Sequence, residues 1–150
     1  MPSDYILAVD EGTTGITAMI LDAKGQIVSR AASELTSFFP QPGWVEQDPH
    51  EIVLKFKNAA LQAIAAAKIR PDEIRAMGLT NQRETTVLWN RDTLEPAARA
   101  VVWQCKRSID VCERLQREGL ETVVRAKTGL RIDPYFSASK IRWILDHHPR

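Results

Sequence analysis

The chain has 150 residues, 44% hydrophobic and 26% charged, with a formal net charge of +1; this is ordinary globular composition, and with no basic block nothing points to nucleic acid or an anionic membrane. No apolar run approaches the roughly 18 residues of a membrane span. Met1-Pro2-Ser3-Asp4 lacks the basic and apolar regions of a signal peptide, and two cysteines give no disulfide framework, so the chain reads as a cytoplasmic protein.

In chain order, Tyr5-Ile6-Leu7-Ala8-Val9 has the length and apolarity of a strand buried on both faces. Asp10-Glu11-Gly12-Thr13-Thr14-Gly15 follows, and then Ile16-Thr17-Ala18-Met19-Ile20-Leu21, so the three stretches predict a hairpin. Its loop combines two glycines, which let the backbone approach a ligand, with two hydroxyls and N–H groups able to cradle an anion. Asp10 at the strand end suits Mg²⁺ or its water. These are the parts of a Mg-nucleotide phosphate site, and equally those of an ordinary Gly/Thr turn. No Gly-Lys-Ser/Thr follows and a strand comes next, so the stretch is neither a Walker A loop nor a Rossmann fingerprint.

A turn at Asp22-Ala23-Lys24-Gly25-Gln26 leads to a third antiparallel strand at residues 27–33. Residues 38–47 are broken by Pro40, Pro42 and Gly43, and their three rings (Phe38, Phe39, Trp44) are expected to plug the core. Asp48-Pro49-His50-Glu51 then reads as a capped helix start. Ile52, Val53, Phe56, Ala59, Ala60, Ala63, Ile64 and Ala67 recur at helical spacing, giving a packing helix of about five turns.

Residues 74–80 read as a strand, which makes a crossover and favours an α/β class. Gly78 within it suggests close approach of a backbone or ligand. A strand is predicted at residues 85–89, a turn at 90–93, and a helix from Arg107 to Gly119 with Ile109, Cys112 and Leu115 inward. A short helix over residues 120–126 ends near Gly129, and Ser137 is expected to N-cap a last helix. Cys105 and Cys112, if both on one helix, are separated by about 10.5 Å of rise, too far to bridge. The paired His147 and His148 read as helix-end residues.

This half also carries a second set of chemical groups. A small polyol needs fixed donors and acceptors for its hydroxyls and an apolar platform for its C–H face. Glu84 accepts, Arg83 donates, Tyr135 does either and Trp103 supplies a platform. Each has an ordinary counterpart as a solvated charge, a core ring or a surface anchor, and spacing alone favours those.

Val9-Asp10-Glu11-Gly12-Thr13-Thr14 resembles the first phosphate motif of the FGGY carbohydrate kinases. Thr80-Asn81-Gln82-Arg83-Glu84-Thr85-Thr86, Val102-Trp103-Gln104-Cys105, Thr128-Gly129-Leu130 and Asp133-Pro134-Tyr135-Phe136-Ser137 resemble the glycerol-kinase branch, in its order and at compatible distances. The resemblance implies a ribonuclease-H-like α/β fold of the actin/hexokinase type. Residues 1–150 would form the N-terminal part of its first lobe, an incomplete mixed sheet flanked by helices. It further implies ATP-dependent phosphorylation of glycerol with Mg²⁺. Asp10, Glu11, Gly12, Thr13 and Thr14 would serve the nucleotide, Asp10 the metal, and Arg83, Glu84, Trp103 and Tyr135 the glycerol.

Two positions depart from the family. Thr17 stands where many glycerol kinases carry an Arg, and Glu11 where many carry Gln; a second carboxylate beside Asp10 either helps to hold Mg²⁺ or repels phosphate. The Asp that accepts the substrate proton belongs to a Gly-Asp-Gln stretch with no counterpart here, so no catalytic base is assigned, and the chain is expected to be a fragment without activity of its own. Another FGGY sugar kinase and a catalytically silent binding or assembly module are the alternatives, and self-association of an intact enzyme stays open.

Overall fold

The computed structural model describes residues 4–148; the first three residues of the stretch read above for a signal peptide, and residues 149–150, lie outside the described residues. The chain divides into two compact units. The first comprises the chain up to Thr36 with His50–Gln82, and the second Ser37–Pro49 with the chain from Arg83 on.

The first unit holds β1 (Tyr5–Glu11), β2 (Gly15–Leu21) and β3 (Ile27–Glu34) as an antiparallel meander. Helix α1 (Pro49–Ala67) and a single 3₁₀ turn (Pro71–Glu73) then return the chain, and β6 (Ile74–Thr80) lies parallel to β1. Strand order is β3-β2-β1-β6, a mixed sheet. Leu7 and Val9 of β1 lie opposite Ile20 and Ala18 of β2, so all four share one face with Ile16. That face packs against Ala59, Ala60 and Ala63 of α1. Three small residues let the helix come close to the sheet, and Ser29 Oγ in β3 donates to the Ala63 carbonyl at 2.6 Å.

The expectation of a first strand buried on both faces is corrected here. Its burial alternates, and Ile6 is 44% exposed, because α1 covers only one face among the described residues. Val53 is likewise exposed, although Ala60 and Ile64, its neighbours on the helical wheel, both pack on the core; it stands about two turns nearer the start of α1 than Ala60. A Cβ added at Gly78 meets nothing within 4 Å, so no backbone crowds it.

The second unit contains β4 (Ser37–Phe38), β5 (Glu46–Gln47) and β7 (Ala100–Val101), with α2 (Ile109–Arg117), α3 (Glu121–Thr128) and α4 (Ser137–His147). The strands form a small antiparallel sheet in the order β4-β5-β7. Its core gathers Val45, Val101, Val102, Cys105, Val111, Trp143 and Ile144. Arg107 is buried among them, its guanidinium 4.1 Å from the Trp44 ring and 4.9 Å from the Trp143 ring. It pairs with Glu46 at 2.8 Å.

Several expectations change in this unit. Of the three loop rings, Trp44 packs edge-on against Trp143 and Phe38 lies under Arg99, but Phe39 is 70% exposed. The loop also carries β4 and β5 at its ends, since pairing across ten residues overrides the local Pro and Gly signals. Residues 85–89 form isolated bridges, Thr86 with Val101 and Trp89 with Pro96, not a strand. Helix α2 starts at Ile109, so Ile109 sits exposed at the first turn while Val111 and Cys112 are buried. Cys105 precedes the helix, and both cysteines are free. The stop at Gly119 holds: it takes φ +73°, with Gly119 N–H donating to the Gln116 carbonyl and Leu120 N–H to that of Leu115.

Candidate functional site

The hairpin places residues 10–15, expected to serve the nucleotide, at one end of the first unit's sheet. Gly12 N–H donates to the Gly15 carbonyl at 3.0 Å, and the Thr14 carbonyl accepts the Leu35 N–H at 3.0 Å. Gly15 is required here by space: a Cβ would lie 2.7 Å from the Ser33 carbonyl oxygen on the neighbouring strand. Asp10 and Thr14 are exposed, with Glu11, Gly12 and Thr13 partly buried.

Successive strand residues point to opposite faces, and this separates the two adjacent carboxylates. Glu11 pairs with Ile16, on the face covered by α1, whereas Asp10 pairs with Thr17 and with Thr80 on the other face. The Asp10 carboxylate makes no hydrogen bond or ion pair among the described residues. Glu11 is engaged through both oxygens: Gln82 Nε2 donates to Oε1 at 2.7 Å and the Gln82 N–H to Oε2 at 3.3 Å. Burial pushes the Glu11 carboxyl up from its ordinary range, opposed by the two bonds from Gln82 and reinforced by the Asp10 charge. Gln82 Nε2 also reaches the Gly12 carbonyl at 3.2 Å, so one buried amide ties the loop to the end of β6. Gln82 belongs to the Thr80–Thr86 motif, but its role is not legible there because its partner is 71 residues away.

The second unit brings together three of the four residues expected to serve a polyol, Glu84, Trp103 and Tyr135. Glu84 Oε2 accepts the Ser137 N–H at 3.1 Å and the Ser137 hydroxyl at 2.8 Å, at the first turn of α4. Ser137 therefore does not cap this helix. The N-cap position is Phe136, which makes no side-chain cap bond, and a carboxylate 53 residues earlier in the chain does the capping. Glu84 Oε1 carries no hydrogen bond among the described residues. Trp103 and Tyr135 meet edge to face with ring centroids 5.9 Å apart, and Phe136 adds a further ring 5.1 Å from Tyr135. The Trp103 N–H is fixed by Thr85 Oγ1 at 3.2 Å. Arg83 is exposed and makes no ion pair among the described residues.

Beneath this group lies a residue that sequence reading passed over. Lys140 is fully buried, and its Nζ donates to the carbonyls of Pro134 and Tyr135. Burial pushes its ammonium down from the ordinary lysine range, while the Glu84 charge draws it up. Its only advance signal is its place four residues before Ile144, which puts it on that residue's helix face.

Among the described residues no three His, Cys, Asp or Glu side chains are grouped to hold a metal. No described helix is long and apolar enough to cross a membrane. His147 stacks on Trp143 at 4.0 Å, and its Nδ1 contacts the Trp143 carbonyl.

Residues 5–150 match the model of the FGGY family of carbohydrate kinases, N-terminal domain. Over 149 residues the chain is 52% identical to the glycerol kinase of Burkholderia cenocepacia (strain HI2424), covering 99% of this chain and 30% of that relative. The chain thus spans about 30% of the length of the curated relatives it matches. Its fold is similar to Plasmodium falciparum glycerol kinase, solved with ADP, at a TM-score of 0.89 and 30% identity, over 98% of this chain and 29% of that one. A xylulose kinase from Rhodospirillum rubrum shares the fold at a TM-score of 0.86 and 23% identity, over 97% of this chain and 30% of that one. The meander, crossover helix and parallel fourth strand are accordingly those of the ribonuclease-H-like, actin/hexokinase-type fold, and the chain belongs to the FGGY family of carbohydrate kinases.

Proposed function

We propose that the protein carrying this chain transfers the γ-phosphoryl group of ATP to a terminal hydroxyl of glycerol, giving glycerol 3-phosphate and ADP. The observation that carries this reading is Glu84: one oxygen is fixed by the start of α4 and the other is unpaired, beside the Trp103–Tyr135 ring pair. An oriented carboxylate accepts polyol hydroxyls, and the ring edges offer an apolar wall to the carbon chain. Arg83, exposed and without an ion pair among the described residues, is the donor of the set.

The loop from Asp10 to Gly15 serves the nucleotide in this reading. Asp10 is the residue for Mg²⁺: its carboxylate is exposed, makes no bond among the described residues and shares its face with Thr17 and Thr80, a donor set of oxygens alone. Bound Mg²⁺ would neutralise charge on the phosphates. Glu11 acts on the loop through Gln82, since both its oxygens are already engaged. With Thr17 opposite Asp10, no guanidinium stands at that strand position, and phosphate charge falls to the loop N–H groups and hydroxyls. In the transfer, the glycerol oxygen bonds to γ-phosphorus as the bond to the β,γ-bridging oxygen breaks, and the hydroxyl proton passes to a base. The family's base has no counterpart in residues 1–150, which together form the N-terminal part of the first domain. We place the enzyme in the cytoplasm because both cysteines are free and buried.

The test is a coupled assay for ADP release by the intact protein with glycerol, a pentulose and gluconate as separate substrates. Glycerol is expected to give the highest kcat/KM. Preference for another polyol assigns the protein to a different FGGY activity, and no turnover on any of them defeats the kinase reading.

A further inference from the structure

Resting on the polyol assignment above, we propose that Lys140 and Ser137, one turn apart on α4, are positioning residues that hold Tyr135 and Glu84 in place for the substrate. The peptide groups around Tyr135 are pinned from two directions. Asp133 Oδ1 accepts the Tyr135 N–H at 2.8 Å, and the Asp133 carbonyl accepts the Phe136 N–H at 3.2 Å. On the opposite side, Lys140 Nζ donates to the carbonyls of Pro134 and Tyr135. The residue after this pinned segment but one, Ser137, then gives both its donors to Glu84 Oε2. One helical turn therefore fixes the direction of the Tyr135 backbone and leaves Glu84 with a single unpaired oxygen.

An ammonium with no exposed surface is a poor choice for stability alone. Replacing buried charges by apolar groups of similar volume often leaves a protein as stable or more so, whereas a buried charge with two fixed acceptors sets a local geometry. Lys140 lies against the segment that carries the Tyr135 ring and within the field of the Glu84 and Asp133 carboxylates. Its two bonds go to the segment that carries Tyr135, whereas the second unit's apolar core is built from Val45, Val101, Val102, Cys105, Val111, Trp143 and Ile144.

The experiment compares wild type, Lys140→Met and Ser137→Ala in the intact protein by steady-state kinetics and by hydrogen exchange of the segment 133–138. Lys140→Met is expected to raise the glycerol KM at least tenfold and Ser137→Ala about threefold, with the Mg-ATP KM within twofold in both. Exchange is expected to quicken in residues 133–138 and nowhere else. Unchanged glycerol KM in both variants, or equal rises in both KM values, overturns the proposal. Protection lost throughout the second unit overturns it too, because that marks a residue serving only the fold. If Lys140→Met does not fold, Ser137→Ala decides on the same criteria. If wild type does not act on glycerol, the functional reading fails separately, and hydrogen exchange alone decides whether the two residues pin the segment.

Discussion

Glu84 caps α4 and, in the proposed reading, also accepts a substrate hydroxyl, and substitution can weigh the two roles apart. Glu84→Ala removes the acceptor of two bonds from Ser137, at 3.1 and 2.8 Å. Bonds to a charged group contribute about 1.5–3 kcal/mol, and losing a helix cap costs about 1 kcal/mol. Because Ser137 is only partly buried, water takes up part of the loss, and about 1.5–2 kcal/mol is expected. At about 2–4 °C per kcal/mol for a domain of this size, the melting temperature should fall by roughly 3–8 °C. All four tryptophans (Trp44, Trp89, Trp103 and Trp143) lie in the second unit, so their fluorescence reads the melting of the part that holds Glu84. The second role falls to the unpaired Oε1. Without it a bound hydroxyl lacks its acceptor, costing about 1–3 kcal/mol, or roughly 5- to 150-fold in the glycerol KM. Glu84→Gln keeps an oxygen for Ser137 and should melt within about 2 °C of wild type while still raising the glycerol KM. A Glu84→Ala protein that melts like wild type would refute the capping argument. One that melts lower but keeps its glycerol KM would leave Glu84 as a helix cap with no place in the polyol site.

Asp10→Asn keeps the size of the side chain but removes its charge, and should lower kcat about 100-fold or more with little change in glycerol KM; near-normal kcat at saturating Mg-ATP rejects the metal assignment. Arg107→Met strands Glu46, whose side chain is 16% exposed beside an arginine at 3%. Breaking such a pair costs about 3–5 kcal/mol, the lower end here because Glu46 is partly wet, so the tryptophan-monitored melt should fall by about 6–12 °C; a fall under 2 °C contradicts it. For Glu11 the sign follows from its raised carboxyl: the folded state holds the proton to higher pH than the unfolded one, so its contribution falls as pH rises from the ordinary glutamate range through the raised value. Glu11→Gln should therefore gain stability relative to wild type between pH 4 and 7.5, measured as urea midpoints by circular dichroism, and a flat or reversed difference rules the argument out.

Local chemistry settled a good part of the molecule. Gly-rich turns between β-branched runs produced the β1–β2 hairpin, and the 3.6-residue spacing behind Pro49 produced α1. Gly119 and Gly129 stop their helices with φ of +73° and +74°, a conformation that side chains with a Cβ resist. The motifs also led to Glu84, Trp103 and Tyr135, which the fold of the second unit brings together, and to a loop whose glycine at position 15 has no room for a side chain. What sequence did not carry was which partner each polar group finds. Glu11 meets Gln82 across 71 residues and Glu84 meets Ser137 across 53, and neither distance leaves a periodic trace. Position 53 looked inward by spacing yet is exposed near the start of α1, and position 109 looked inward yet begins its helix. Lys140 is the sharpest case. By type a lysine belongs in water, and only two carbonyls converging on one point of the folded chain give its ammonium a reason to be buried. Sequence by itself determined the elements and the chemical inventory, because turns, caps and periodicity act between near neighbours; tertiary structure alone decided orientation and pairing, because those depend on groups that meet only when distant segments pack.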